Sequence, residues 1–324
     1  MTNSSVDLSG GASVLSAHAE APSSQASMIL ASKKLMKHAA APLLKQMGMS
    51  RARTAPVQFL DSACGTGVVT QEVQGMLARD VLDKSTFICA DSSRVLVDVV
   101  AGRIQDEAWV NTQAEVLDAR DTGLEESSLS HVAVALGLHL IPEPDKVLKG
   151  KSLFLDAFDV GGGMTDGFLY ADCWRILKDG GVFGATTFPR GNGSKFWIPD
   201  MRAAFASLPF DAPFPEELPM QTHDSGRWYD CEWIRRHLEE EGFGDVQVTV
   251  TSGRYHVENA TEFVRFFGMM IPFIMNTWWS EELRREHPVD VVRKGVEEFV
   301  EGKYEGKGWD VEWEIISTTG VVRK

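Results

Sequence analysis

The chain is poor in cysteine. Four occur among 324 residues, at Cys64, Cys89, Cys173 and Cys231, and no two form a C-x-x-C pair. A disulfide scaffold and a cysteine-rich zinc site are therefore disfavoured, and a reducing, cytoplasmic setting is expected. Basic residues are also short: 32 Lys and Arg stand against 46 Asp and Glu, for a formal net charge of −14. A field of that sign repels phosphate backbones, so no nucleic-acid partner is expected. Long apolar runs are missing. A bilayer span takes roughly 18–20 such residues, and the nearest run, Phe263 to Trp279, is interrupted by Arg265, Pro272 and Asn276. Neither H-E-x-x-H nor another metal-ligand spacing occurs, so no metal is expected. Residues 1–27 hold no aromatic residue, Lys or Arg. With little to bury they read as a disordered leader, and they lack the basic start and apolar centre of a signal peptide.

What is present is a globular composition, 44% apolar and 24% charged, arranged in alternation. Met28 to Met47 carries apolar residues at helical spacing, and Pro42 is expected to split it into two short helices. Val57 to Leu60 is a short apolar run ending in Asp61, followed by small residues to Gly67 and a helical pattern from Val68 to Leu82. Thr86 to Ala90 ends likewise in Asp91, and Ala114 to Leu117 in Asp118; His131 to Leu138 is almost wholly apolar. A helix is predicted over Asp166 to Leu177, closed by Lys178-Asp179-Gly180-Gly181 and followed by a strand, Val182 to Thr187. A helix from Trp228 to Glu241 and strands at Val246 to Val250 and Glu312 to Val322 complete the series.

Strand, turn and helix repeating with near-continuous apolar strands specify an α/β fold, a parallel sheet covered on both faces. Segments 188–227 and 254–308 break the alternation and read as lid insertions. The expected organisation is a leader (1–27), N-terminal cap helices (28–56), a Rossmann-like core (57–187), a lid insertion (188–227), a core helix and strand (228–253), a helical lid insertion (254–308) and a last core strand (309–324).

The most informative stretch runs from Phe59 to Gly67. The small residues Ala63, Gly65 and Gly67 let a ligand lie against the backbone, where the following helix presents free N–H groups. A dinucleotide enzyme wants a third glycine, and Thr70 stands there instead. Asp61, at the strand tip, would repel a pyrophosphate but suit an ammonium group, such as that of S-adenosylmethionine. Asp91, followed by Ser92, is placed to accept from ribose hydroxyls. Asp118-Ala119 ends the next strand, where an acid can accept from an adenine amino group.

These motifs resemble those of class I S-adenosylmethionine-dependent methyltransferases. Leu60-Asp61-x-Ala63-Cys64-Gly65-Thr66-Gly67 is similar to that family's first motif, with Ala for the first glycine. Ala90-Asp91-Ser92-Ser93 is similar to the second, and Glu115-Val116-Leu117-Asp118-Ala119 to the third. Trp174 to Phe183 resembles the stretch before the fifth strand, with Asp179 in place of the usual Pro. Leu136-Gly137-Leu138-His139-Leu140 resembles the fourth-strand exit of quinone methyltransferases, with His139 where an Arg usually stands. The lid composition resembles small-molecule methyltransferases of fungal secondary metabolism. The resemblance implies a seven-stranded sheet of order 3-2-1-4-5-7-6 with the seventh strand antiparallel. It also implies a cofactor held by Asp61, Ala63, Gly65, Gly67, Asp91, Ser92, Asp118, Ala119 and Leu136, and released as S-adenosylhomocysteine.

Methyl transfer from a sulfonium is an in-line displacement needing alignment, exclusion of water and, for some acceptors, removal of a proton. His139, beyond the fourth strand, is the first candidate base because a histidine titrates near neutrality. His223, beside Asp224, is the second. Rings and methionines of the lid, among them Trp228, Tyr255, Phe267, Met270 and Trp278, are candidates with His139 for an acceptor pocket. The expected function is O-methylation of a small hydrophobic or aromatic molecule in secondary metabolism. The alternatives are a cyclisation or rearrangement on the same fold, a non-catalytic regulator, and an NAD enzyme. The expected partner is the small-molecule acceptor, and a homodimer is left open.

Overall fold

Phe59 and Leu60 are adjacent and both fully buried, yet they belong to different cores. Side chains alternate across a strand, so a strand buried at every position must have a layer on each face. The computed structural model, which describes residues 22–148, 172–191, 195–219 and 221–324, has that three-layer form. Its strands are β1 (Gln58–Ser62), β2 (Thr86–Asp91), β3 (Thr112–Val116), β4 (Leu129–Ala135), β5 (Leu177–Thr187), β6 (Phe243–Val257) and β7 (Trp309–Val322). They form one seven-stranded sheet of order β3-β2-β1-β4-β5-β7-β6. β7 runs antiparallel to both β5 and β6, and the other pairings are parallel. This is the order that the resemblance implies, and β7 departs from the all-parallel sheet that the residue pattern alone suggests.

One face packs Phe59, Phe87 and Ala133 against Leu43, Leu44, Val69 and Val73 from the helices Lys37–Gln46 and Val68–Met76. The other packs Leu60, Val132, Val134 and Phe183 against Trp174, Ile234 and Leu238. A third core lies beyond the sheet. β5 pairs with β7 only from Ile316 to Val321, whereas β6 follows β7 down to Val257 opposite Trp309. The far half of β6 and β7 is thus a two-stranded ribbon. Tyr255, Val257, Trp309, Val311 and Trp313 of this ribbon are buried in the core of a helical lid.

The lid helices are Ile198–Ala206, Ala260–Phe267, Met270–Trp278, Glu281–Glu286 and Val289–Lys303. Asn259 caps the second of them, its Oδ1 accepting from the backbone N–H of Glu262 at 2.9 Å, a standard way to satisfy an orphan donor. Asp200 ties the lid together: its carboxylate accepts from Lys303 Nζ at 2.6 Å, the Tyr304 hydroxyl at 2.7 Å and Trp309 Nε1 at 2.9 Å.

Several local expectations are corrected. A helix, Pro22–Ala31, begins inside the stretch read as leader; residues 1–21 lie outside the described residues. Pro42 does not split the N-terminal segment. It sits within Lys37–Gln46, where burial of Ala39, Ala40, Leu43 and Leu44 on one face offsets the missing hydrogen bond. The irregularity falls instead at Ser32–Met36, a π-helical turn. Lys178 to Gly181 is not a turn before β5 but a bulge within it: Leu129 pairs with Leu177, and His131 already pairs with Val182. Of the helix expected from Asp166, only Asp172–Ile176 falls among the described residues.

Candidate active site

β1 delivers its chain to the carboxyl edge of the sheet, where Ala63, Gly65 and Gly67 all take positive φ (53°, 54° and 78°). Their small side chains make that path affordable to the backbone. The turn is pinned from two sides. Cys64 N–H donates to the Ala90 carbonyl at 2.9 Å. The buried Asp91 carboxylate accepts from Gly65 N–H and Ser93 N–H, each at 2.9 Å. A Cβ built on Gly65 would point into open space, whereas one on Gly67 would meet the Trp109 ring at 3.0 Å.

That open space is a cavity of about 660 Å³. Ala63, Gly65, Asp91, Ser92, Ala119 and Leu136 line one end of it. At the other end are Phe188, Phe196, Phe267, Met270 and Phe273. Asp118 also reaches the wall, but Arg120 grips both its oxygens, with Nη2 at 2.6 Å from Oδ2. That pairing holds the Asp118 carboxyl below its usual range. The N-terminal helices close the cavity from above with Met28, Ser32, Leu35, Met36 and Ala39.

The first end fits a nucleoside. An ionised carboxylate offers about four acceptor positions, and the two backbone donors leave Asp91 room for a diol. The absent Cβ of Gly65 gives the ligand direct access to the backbone. Asp61 does not take part in this wall. It is 1% exposed, and its Oδ2 accepts from Thr70 N–H at 3.1 Å and Thr70 Oγ1 at 3.0 Å. Asp61 shares the Phe59 side of β1, the side on which the helix Val68–Met76 packs, so its carboxylate caps that helix rather than meeting an ammonium group. Burial pushes its pKa up to about 7. Gly67 faces Trp109 and is likewise off the wall.

His139 is buried at the junction of the two ends, edge-on to Phe188 with ring centroids 5.4 Å apart. Among the described residues its Nδ1 has no hydrogen-bond partner. Burial, and secondarily His223, pushes its pKa down to about 3, so the near-neutral base expected from sequence is instead a neutral imidazole. His223 is outside the wall; its Nε2 lies 2.8 Å from the Leu138 carbonyl oxygen. Three expected acceptor residues are also elsewhere. Trp228 donates to the Ser225 carbonyl at 3.1 Å and packs edge-on to Trp233 in the sheet core. Tyr255 is buried in the lid core. Trp278 packs edge-on against Phe273, with ring centroids 5.8 Å apart, and does not reach the cavity. Sequence reasoning missed Arg120, Phe188 and the whole N-terminal wall, and it counted Phe196 and Phe273 among the lid rings without singling them out for the pocket. The only signal for that wall was the helical recurrence of Met28, Leu35, Met36 and Ala39.

Strand order, glycine turn and acid-tipped strands together form a Rossmann-like ligand edge, and known proteins resemble the chain. A model of the ubiE/COQ5 methyltransferase family matches residues 32–164. Methyltransferase tpcH of Aspergillus fumigatus is 26% identical over 258 residues, 80% of this chain and 82% of that protein. The acetylaranotin bis-thiomethyltransferase of Aspergillus terreus is 26% identical over 262 residues, 81% of each. The crystal structure of the YcgJ protein from Bacillus subtilis superposes with a TM-score of 0.49 and 12% identity, over 89% of this chain and 99% of that one. The matched family and the two Aspergillus relatives are methyltransferases, and the chain is similar to those relatives over about four-fifths of its length. Among the described residues no helix is long and apolar enough to cross a membrane.

Proposed function

We propose that the chain methylates an oxygen or sulfur atom of a small, uncharged, apolar molecule held beneath the lid, as a step of secondary metabolism. The observation that carries this reading is a continuous cavity, with Gly65 and Asp91 at one end and a wall of phenylalanines and methionine at the other. The sulfonium of S-adenosylmethionine supplies an already activated methyl group. The protein's part is then to align, to desolvate and to manage one proton.

Gly65 and the neighbouring backbone receive the methionine portion, and Asp91 takes the ribose hydroxyls. Ser92, Ala119 and Leu136 flank the nucleoside. The N-terminal helices and the lid exclude water from the junction. Phe188, Phe267 and Met270 give the acceptor an adaptable apolar bed. His139, which lines the cavity, is the candidate hydrogen-bond partner for the nucleophile. A neutral imidazole of such low basicity is a poor match to an ordinary phenol, whose proton leaves near pH 10. Acceptors that ionise readily, an acidic phenol or a thiol, therefore suit the site best. The thiol-methylating relative from A. terreus supports including sulfur. Incubating the purified protein with S-adenosylmethionine and a panel of apolar phenols and thiols should release S-adenosylhomocysteine with at least one member. Charged amino acids and nucleotides should give none. Turnover of the charged compounds alone would sink this reading.

A further inference from the structure

The N-terminal helices are anchored to the rest of the molecule through two adjacent residues that pull in different directions. Lys33 and Lys34 lie in the π-helical turn Ser32–Met36. Lys33 Nζ is 2.9 Å from Glu107 Oε1, on the core side. Lys34 Nζ is 2.6 Å from Glu262 Oε1, on the lid. Glu262 is itself buried, and its other oxygen accepts from Glu258 N–H at 2.8 Å.

Glu107 is more than a surface partner. It holds Arg103, with Nε to Oε1 at 2.9 Å and Nη2 to Oε2 at 3.2 Å. Arg103 is buried, stacks over the Trp109 ring, and donates to the carbonyl of Thr66 and to Gln71 Oε1. Thr66 belongs to the glycine turn. Its hydroxyl in turn meets the hydroxyl of Ser32, the residue preceding Lys33. The result is a closed circuit: Ser32, Thr66, Arg103, Glu107, Lys33. Ser32 and Thr66 both line the cavity, and Arg103, Glu107 and Lys33 do not. A π turn inserts an extra residue per turn and re-aims side chains, and such turns concentrate at functional sites.

We propose that Ser32 is a cofactor-contacting residue supplied by the N-terminal helix, and that Lys33, Glu107 and Arg103 are the positioning chain that seats it against the glycine turn. The inference rests on reading the Gly65 end of the cavity as the S-adenosylmethionine site. The Ser32 and Thr66 hydroxyls stand where the turn meets the N-terminal wall; one donates to the other, which leaves one O–H of the pair to donate to the carboxylate of the methionine portion. Lys33 locks the helix in that place through Glu107. Because the same Glu107 orients Arg103 on the Thr66 carbonyl, seating the helix and setting the turn are one event. Lys34 has a separate task, joining the same helix to the lid that covers the acceptor.

The test is calorimetric titration with S-adenosylhomocysteine, which reads binding without turnover. Ser32→Ala and Lys33→Met should each raise Kd about five- to tenfold, the loss of roughly one hydrogen bond. Lys33→Arg should stay within about twofold, because it keeps the ion pair. The parent should lose affinity with added salt, and Lys33→Met should lose less. The Lys33 side chain is 43% exposed, so its replacement leaves the fold intact; melting curves run alongside check this. Lys34→Met should leave the S-adenosylhomocysteine Kd unchanged and raise the acceptor KM. Ser32→Ala and Lys33→Met proteins that bind as the parent does overturn the proposal. A parent protein that binds no S-adenosylhomocysteine overturns the underlying site assignment instead.

Discussion

Asp91→Asn is the most direct probe of the cofactor end. The Asp91 carboxylate serves two masters at once: it accepts from Gly65 N–H and Ser93 N–H, each at 2.9 Å, and it keeps capacity for a ribose diol. Asparagine preserves the shape and one oxygen, but its NH2 can only donate. Whichever way the amide turns, one backbone N–H then faces a donor, and one diol contact is lost with the charge. A hydrogen bond to a charged group is worth about 1.5–3 kcal/mol, and each 1.4 kcal/mol is tenfold in affinity. The S-adenosylhomocysteine Kd should therefore rise about 10- to 150-fold. Calorimetric titration of parent and variant in one buffer measures it, with thermal melts to track the turn. A variant that binds within twofold of the parent refutes the assignment. One that melts earlier yet binds normally makes Asp91 purely structural.

The two glycines should separate cleanly. Gly65→Ala should weaken S-adenosylhomocysteine binding at least tenfold, because its methyl enters the cavity, while Gly67→Ala should lower the melting temperature through Trp109. Equal losses of affinity in both variants, with no difference in melting, would contradict the geometry. His139→Phe should lower kcat while leaving S-adenosylhomocysteine affinity within about twofold, and the parent's kcat/KM should show no histidine inflection near pH 6.5; an inflection lost in the variant would show that the imidazole titrates there. Burial also pushes His131 down to about 3, as it does His139. Their neutral folded state stabilises the protein fully above pH 6.5, and that stability is lost as pH falls from 6.5 towards 3. Asp61, pushed up to about 7, opposes this, favouring the fold at low pH and losing that contribution as pH rises through 7. Two histidines against one carboxyl leave these groups a net loss on the order of 1.4 kcal/mol per pH unit below pH 6. Denaturant titrations at pH 5 and 7 read it, and equal stability at both is the contrary result. Asp200→Ala strands one buried donor, Trp309 Nε1, and releases the partly exposed Lys303 and Tyr304; it should cost about 1–3 kcal/mol, seen as an early lid transition on melting, and a shift under 1 °C would dismiss the hub.

Much of the architecture was legible because parallel strands buried on both faces must be apolar along their whole length, and each ends in an acid or a small residue at the ligand edge. Asp91, Gly65 and Ala63 could be placed on that edge from their positions after β1 and β2. Neighbouring residues on the same strands could not be sorted so easily. Asp61 and Gly67 sit in the same motif, but one turns back onto a helix and the other onto Trp109, because alternation and φ decide which side chains face the ligand. The lid was harder. Trp228, Tyr255 and Trp278 have the composition of pocket residues, yet each fills a core, and composition alone does not distinguish a ring that packs from one that lines a cavity.

Local pattern was enough to specify a doubly covered sheet, its glycine turn and its acid-tipped strands, since these depend on periods of two and 3.6 and on residues close together in the chain. The lowered basicity of His139, the seating of Ser32 on Thr66 and the circuit from Lys33 through Glu107 to Arg103 arose from segments far apart in the chain. Burial and charge partners of that kind exist only once the chain has folded.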